Sequence, residues 1–310
     1  MIFVILTLAV ILLFVLVVFY FFSLAFMRKS NANVDDMDTT INESLKPFSA
    51  VMEKGMDFIR NTPHEWLYTT AFDGVKLAGR YFDNNSSCTI FLFHGYRSSG
   101  IHDFSCAVEM YYKMGFNIFL ADQRAHGNSS GKLITFGVKE SRDVVTWTEL
   151  INEKFSPSQV VISGISMGAT TVLLSLYHNL PKNVVGVIAD CGFTSPADII
   201  EKVGRDSYKI NAHFFIPFLD AACKLLGGFS IRGISTVEAV QKTQLPILLI
   251  HGKKDNFVPC EMSEQTFSKC KDNCRIFLSE EAGHGMSFLT DTEELLAELK
   301  SFLKFCLKDI

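Results

Sequence analysis

Gln159-Val160-Val161-Ile162-Ser163-Gly164-Ile165-Ser166-Met167-Gly168-Ala169-Thr170-Thr171-Val172-Leu173-Leu174-Ser175-Leu176-Tyr177 lies near the middle of a 310-residue chain. Its first five residues centre on the β-branched, apolar Val160, Val161 and Ile162, as in a buried strand, and its last nine read as a helix. The Gly-x-Ser-x-Gly between them is the signature of a nucleophile elbow, a strained turn that lifts a serine hydroxyl clear of a sheet. Side chains at Gly164 and Gly168 would collide as strand and helix close together. Alone, the pattern is weak: three fixed positions match by accident in roughly one chain in ten of this length. The surroundings must carry the reading.

Working outward, the chain alternates. Trp66–Thr70 and Val75–Phe82 flank Asp73-Gly74, a strong hairpin signal. Apolar runs follow at Thr89–Phe93, Asn117–Ala121, Val160–Ile165, Val184–Ala189, Ile247–Ile250 and Arg275–Leu278. Helical stretches fall between most of them, at Phe104–Met114, Val138–Lys154, Ala169–Asn179, Glu261–Cys270 and Thr292–Leu307. Continuous apolar strands with helical crossovers predict an α/β domain, a mostly parallel sheet covered on both faces, opened by two antiparallel strands. The rhythm breaks over residues 195–244. Its apolar centre, His213 to Ala222, predicts a small helical cap beside the serine, with Phe214, Phe215 and Phe218 as cap core rather than substrate lining.

Met1 to Met27 carries no charged side chain. As a helix it would be about 40 Å long at ~1.5 Å per residue, enough for a ~30 Å hydrocarbon core. That predicts a membrane span over residues 1–27. The rival is a cleaved signal peptide; no basic residue precedes the span and it is too long, although Ser23-Leu24-Ala25 resembles a cleavage site. Arg28 and Lys29 follow it, which places that flank in the cytoplasm under the positive-inside rule. The eight cysteines have neither zinc-site nor disulfide-scaffold spacing, with Cys270 and Cys274 the closest pair, and scattered thiols suit a reducing compartment. Both hints point to a cytoplasm-facing domain. A polar linker (Ser30 to Lys46) and an amphipathic leading helix (Pro47 to Asn61) complete residues 28–61, leaving 62–310 for the main domain. The net charge of −4 and the lack of a basic cluster argue against nucleic acid.

A serine hydroxyl needs a base in reach, and the base needs an orienting acid. His251-Gly252-Lys253-Lys254-Asp255 puts Asp255 in the loop after one strand, and Gly283-His284-Gly285 puts His284 after the last. Asp190, after the preceding strand, competes with Asp255. His94-Gly95-Tyr96 follows an earlier strand, so the N–H groups of Met167 and Tyr96 would face an oxyanion. His94, His251, Arg124 and His126 read as loop scaffolding. There is no His-Glu-x-x-His, Cys-x-x-Cys or phosphate-binding glycine loop, so no metal and no cofactor is expected.

Together with Asp122-Gln123-Arg124-Ala125-His126-Gly127, these motifs make the chain from Trp66 to Leu307 resemble an α/β-hydrolase of the serine esterase, lipase and acylaminopeptidase-like group. The Asp-x-Arg-x-His-Gly stretch is similar to that of monoacylglycerol lipases, where it is structural. The resemblance implies a catalytic triad of Ser166, Asp255 and His284. The resulting expectation is a membrane-anchored hydrolase of carboxylic esters or thioesters, acting on a small-molecule or lipid-like acyl substrate. The alternatives are a serine peptidase or amidase of the same fold and a non-catalytic, membrane-tethered binding protein. Substrate, ester-versus-amide preference and oligomeric state are not legible.

Overall fold

The computed structural model describes residues 1–29 and 44–307, so most of the expected linker lies outside the described residues. Eight strands form one sheet: β1 (Glu65–Thr70), β2 (Lys76–Phe82), β3 (Cys88–Phe93), β4 (Asn117–Asp122), β5 (Gln159–Ile165), β6 (Val184–Asp190), β7 (Ile247–Gly252) and β8 (Cys274–Ser279). Their spatial order is β1-β2-β4-β3-β5-β6-β7-β8. β2 pairs antiparallel with β1 and β4, and every later pairing is parallel. This is the mostly parallel α/β sheet that the strand rhythm predicts, and the α/β-hydrolase fold that the motif resemblance implies.

Successive residues of a strand point to opposite faces, and each face has its own core. Ile90, Leu92, Ile118, Leu120 and Val161 meet one helical layer, built from α2 (Ser49–Asn61), α3 (Ser105–Lys113) and the C-terminal helix Thr292–Cys306. Phe91, Phe93, Phe119, Ala121, Val160 and Ile162 meet the other, built from α4 (Glu140–Phe155) and α5 (Met167–Leu174). Both faces being covered explains why β3 and β4 are buried along their whole length.

A third apolar cluster sits above the C-terminal edge of the sheet. It joins Met167, Phe136 and Phe193 to the inserted segment and to the end of α1 (Ile2–Phe26). The insertion contains α6 (Pro196–Tyr208) and α7 (Ile216–Ala222), joined by a 3-10 turn at Ala212–Phe214. Its last part, around Ala239 and Val240, packs into the sheet's own core instead.

Three features depart from the sequence-based expectation. Phe214 is 71% and Phe218 50% exposed, so these rings are not cap core. Phe215 packs against α1, stacking on Phe14 and tilting against Phe21. The first helix is exposed over most of its length, yet Phe22 and Phe26 are buried. An all-apolar helix end finds partners in the apolar cap and in Phe136 and Phe229, which a linear pattern cannot register. Finally, Cys270 and Cys274 are joined in a disulfide, against the reading of scattered thiols. The turn between Phe267 and β8 brings their Cα atoms to 5.8 Å, within bonding geometry.

Candidate active site

The serine turn is dictated by crowding. Ser166 adopts φ 57°, ψ −117°, a conformation costly for a side-chain-bearing residue. A Cβ on Gly164 would overlap the Gly168 backbone, and one on Gly168 would overlap the Phe93 carbonyl. Strand, turn and helix therefore close only with glycine at both positions. The turn is fixed from below by Ser166 N–H donating to the Asp190 carbonyl at 2.8 Å.

Ser166 lies 118 positions before His284 and Asp255 lies 29 before it, yet all three leave the same sheet edge, after β5, β7 and β8. His284 Nε2 accepts from the Ser166 hydroxyl at 2.9 Å, and its Nδ1–H donates to Asp255 Oδ2 at 2.6 Å. The other Asp255 oxygen accepts from the N–H groups of Phe257 and Val258, both at 2.8 Å. Burial alone would raise the Asp255 pKa, but hydrogen bonds from His251 and His284, the charge of His284 and the Val258 amide hold it well below the ordinary 3.8. Phe257 packs edge-on against the His284 ring, 5.1 Å between centroids.

The competing acid is placed elsewhere. Asp190 is buried with neither carboxylate oxygen hydrogen-bonded, and burial raises its pKa to about 7. It supports the serine turn through its backbone. Met167 directly follows Ser166, and neither it nor Tyr96 donates its backbone N–H to another group among the described residues. The loop of Tyr96 approaches closely: a Cβ on Gly95 would stand 3.3 Å from Ser166 Cβ.

The histidines read as scaffolding are bonded accordingly. His94 Nδ1–H donates to the Gly95 carbonyl at 2.8 Å while Nε2 accepts from Gln123 N–H at 3.1 Å. His126 accepts from Arg97 N–H, and burial lowers its pKa to about 3, keeping it neutral. His251 is held by Ser263 and the Val258 carbonyl. Arg124 joins Asp143 and Asp73, tying the Asp-x-Arg-x-His-Gly loop to α4 and to the β1–β2 hairpin. Among the described residues one group of metal-type donors lies together: Cys191, Asp255 and His284. Asp255 and His284 already bond to each other, and burial raises the Cys191 thiol well above its ordinary value, so it offers no thiolate.

Sequence reasoning missed two contributors. Asp103 accepts from Gly95 N–H at 2.6 Å and from Ser98, bracing the Tyr96 loop. Nothing marks it in a helical stretch after that loop. The other is the end of α1: Tyr96 Oη donates to the Ala25 carbonyl at 2.8 Å and Arg97 to the Leu24 carbonyl at 2.7 Å. Ser166 borders two cavities. One, of about 290 Å³, is lined almost wholly by apolar side chains, among them Phe136, Phe193, Ile199, Val203 and Leu219. The other, of about 230 Å³, holds polar groups, among them Ser98, His102, Asp103 and Ser105, with His284.

A profile of the prolyl oligopeptidase family matches residues 102–309. The chain belongs to that family. Among curated relatives, the uncharacterized protein YqkD of Bacillus subtilis is 27% identical over 216 residues, covering 69% of this chain and 70% of its own. The bifunctional esterase/perhydrolase DCH of Acinetobacter calcoaceticus is 21% identical, over 76% of this chain and 99% of its own. The solved esterase Pf2001 of Pyrococcus furiosus superposes with a TM-score of 0.65 at 24% identity, over 79% of this chain and 93% of that one. Family membership and these likenesses make the protein a hydrolase of α/β fold. They do not choose between ester and amide.

Proposed function

We propose that this protein is a serine hydrolase that cleaves carboxylic esters or thioesters, with α1 as a membrane anchor. Ser166 Oγ attacks the substrate carbonyl carbon while His284 Nε2 takes the hydroxyl proton. The N–H groups of Met167 and Tyr96 receive the charge that develops on the carbonyl oxygen. As the intermediate collapses, His284 gives the proton to the leaving alcohol or thiol, and an acyl ester remains on Ser166. Water, giving a proton to His284, then releases the acid and restores the serine. Asp255 keeps the imidazole in the tautomer whose Nε2 can accept.

The observation that carries this reading is the unbroken hydrogen-bond chain from Ser166 through His284 to Asp255, bordering an apolar cavity. Support for the anchor is the uninterrupted apolar helix Ile2–Phe26, exposed over most of its surface. Arg28 and Lys29, on the catalytic domain's side of α1, support a cytoplasm-facing domain under the positive-inside rule, while the Cys270–Cys274 disulfide weighs toward an oxidising compartment.

Family membership favours a second reading, hydrolysis of peptide or acylaminoacyl amides by the same residues. The full chain in detergent, assayed on p-nitrophenyl esters and on aminoacyl p-nitroanilides, separates the two. Faster ester turnover, abolished in Ser166→Ala, is expected. Faster amide turnover gives the second reading instead, and turnover of neither overturns both.

A further inference from the structure

We propose that α1 is itself a wall of the acyl pocket, and that the substrate is an ester of a long, unbranched acyl chain whose length the α1 side chains select. The inference rests on the ester-hydrolase reading and names the substrate class of the same site. Val18, Phe21, Leu24 and Ala25 line the apolar cavity that Ser166 borders, facing the cap residues Ile199, Val203 and Leu219 across it.

The helix end is built in, not laid against the surface. Its last carbonyls, which a helix leaves without internal partners, are taken by the domain. Tyr96 bonds Ala25, Arg97 bonds Leu24 and Met27 (the latter at 3.1 Å), and Ile134 N–H bonds Phe26 at 2.7 Å. Tyr96 and Arg97 belong to the loop that approaches Ser166 at Gly95 and carries the proposed oxyanion donor, so one loop both holds α1 and borders the serine. One turn and more further back, Phe21 meets Tyr208, and Phe14 meets Phe215 and Phe218.

Depth and polarity choose the ligand. Phe14 lies 12 residues before the end of α1, about 18 Å along the axis at ~1.5 Å per residue. That is more than half of a ~30 Å hydrocarbon core. Phe218, an exposed apolar side chain of the cap, is thus carried to the level of lipid tails by its contact with Phe14 of α1. The cavity that α1 lines is almost wholly apolar, whereas the second one at Ser166 offers hydrogen-bonding groups in Ser98, His102 and Asp103. A chain threads the first and a polar leaving group occupies the second. At 290 Å³ the first has room for on the order of ten methylene-sized units, taking each near the ~30 Å³ of a water molecule.

The test uses the full chain in detergent with p-nitrophenyl acetate, dodecanoate and hexadecanoate. Leu24→Trp and Val18→Trp place an indole in the cavity. Each methylene kept out of apolar surroundings costs about fourfold, so the dodecanoate-to-acetate ratio of kcat/KM is expected to fall at least about tenfold. Leu6→Trp, on the exposed part of α1, serves as the control and leaves the ratio at the wild-type value. Phe21→Ala opens the cavity and raises the hexadecanoate-to-dodecanoate ratio, which keeps the proposal testable if a tryptophan variant fails to fold. Ratios unchanged in the Val18, Phe21 and Leu24 variants overturn the proposal. If wild type hydrolyses no ester at all, the failure belongs to the ester-hydrolase reading instead.

Discussion

Two carboxyl groups under the candidate serine behave oppositely, and Asp190→Asn tells them apart. Asp190 is enclosed without a hydrogen-bond partner, and burial lifts its pKa from an ordinary 3.8 to about 7. The folded protein therefore holds this proton more tightly than the unfolded chain does. Stability from that preference is fully present below pH 4 and is lost as pH rises through 7. A displacement of roughly three pKa units corresponds to ~4 kcal/mol over the whole window at 1.36 kcal/mol each, of which about 2–3 kcal/mol is lost between pH 5 and pH 8. Asn cannot ionise, so Asp190→Asn removes this part of the pH dependence whatever its fixed cost in the pocket. Urea unfolding at pH 5 and pH 8 in detergent, wild type beside variant, measures the difference. A variant that loses as much stability as wild type across that range refutes the reasoning. The same variant is expected to retain ester hydrolysis, since Asp190 does not touch His284 in the hydrogen-bond chain.

Asp255→Asn, by contrast, leaves His284 with the wrong tautomer, and kcat should drop on the order of 10⁴-fold while ground-state binding changes little; retained turnover would return the role to another acid. Gly168→Ala drives a methyl into the Phe93 carbonyl and should cost more than ~4 kcal/mol, read as loss of the folded fraction on expression; a folded, active variant would show that the turn can shift. Phe26→Ala removes a fully buried ring where α1 meets Phe136 and Phe229, at a cost of about 3–5 kcal/mol, or roughly 10 °C in Tm. An unchanged Tm would mean that the helix end is not part of the domain's core.

The centre of the sheet was legible because strands such as β3 and β4 are buried on both faces and so read as continuous apolar runs, while β1 and β2 were marked by the Asp73-Gly74 turn between them. The elbow was legible because its glycines are steric necessities: two backbones meet where Gly164 and Gly168 lie. The choice of Asp255 over Asp190 followed only from motif context, since both lie at the C-terminal end of a parallel strand, Asp190 as the last residue of β6 and Asp255 in the loop after β7. What separates them is three-dimensional, the reach of the His284 imidazole to one and not the other. The role of α1 was not legible. A helix apolar on every side gives no pattern by which to distinguish the residues facing lipid from those facing Ser166, and Tyr96 and Arg97 carry no sign that they bind its carbonyls. The exposed rings of Phe214 and Phe218 misled for the same reason: apolarity marks withdrawal from water, whether into a protein core or toward another apolar surface.

Reaction of the full-length protein with a fluorophosphonate, followed by mass mapping of the modified peptide, asks most directly whether Ser166 is the activated hydroxyl. The account predicts a single phosphonylated residue, Ser166, and no labelling in His284→Ala. A label on any other residue, or undiminished labelling of Ser166→Ala, would contradict it.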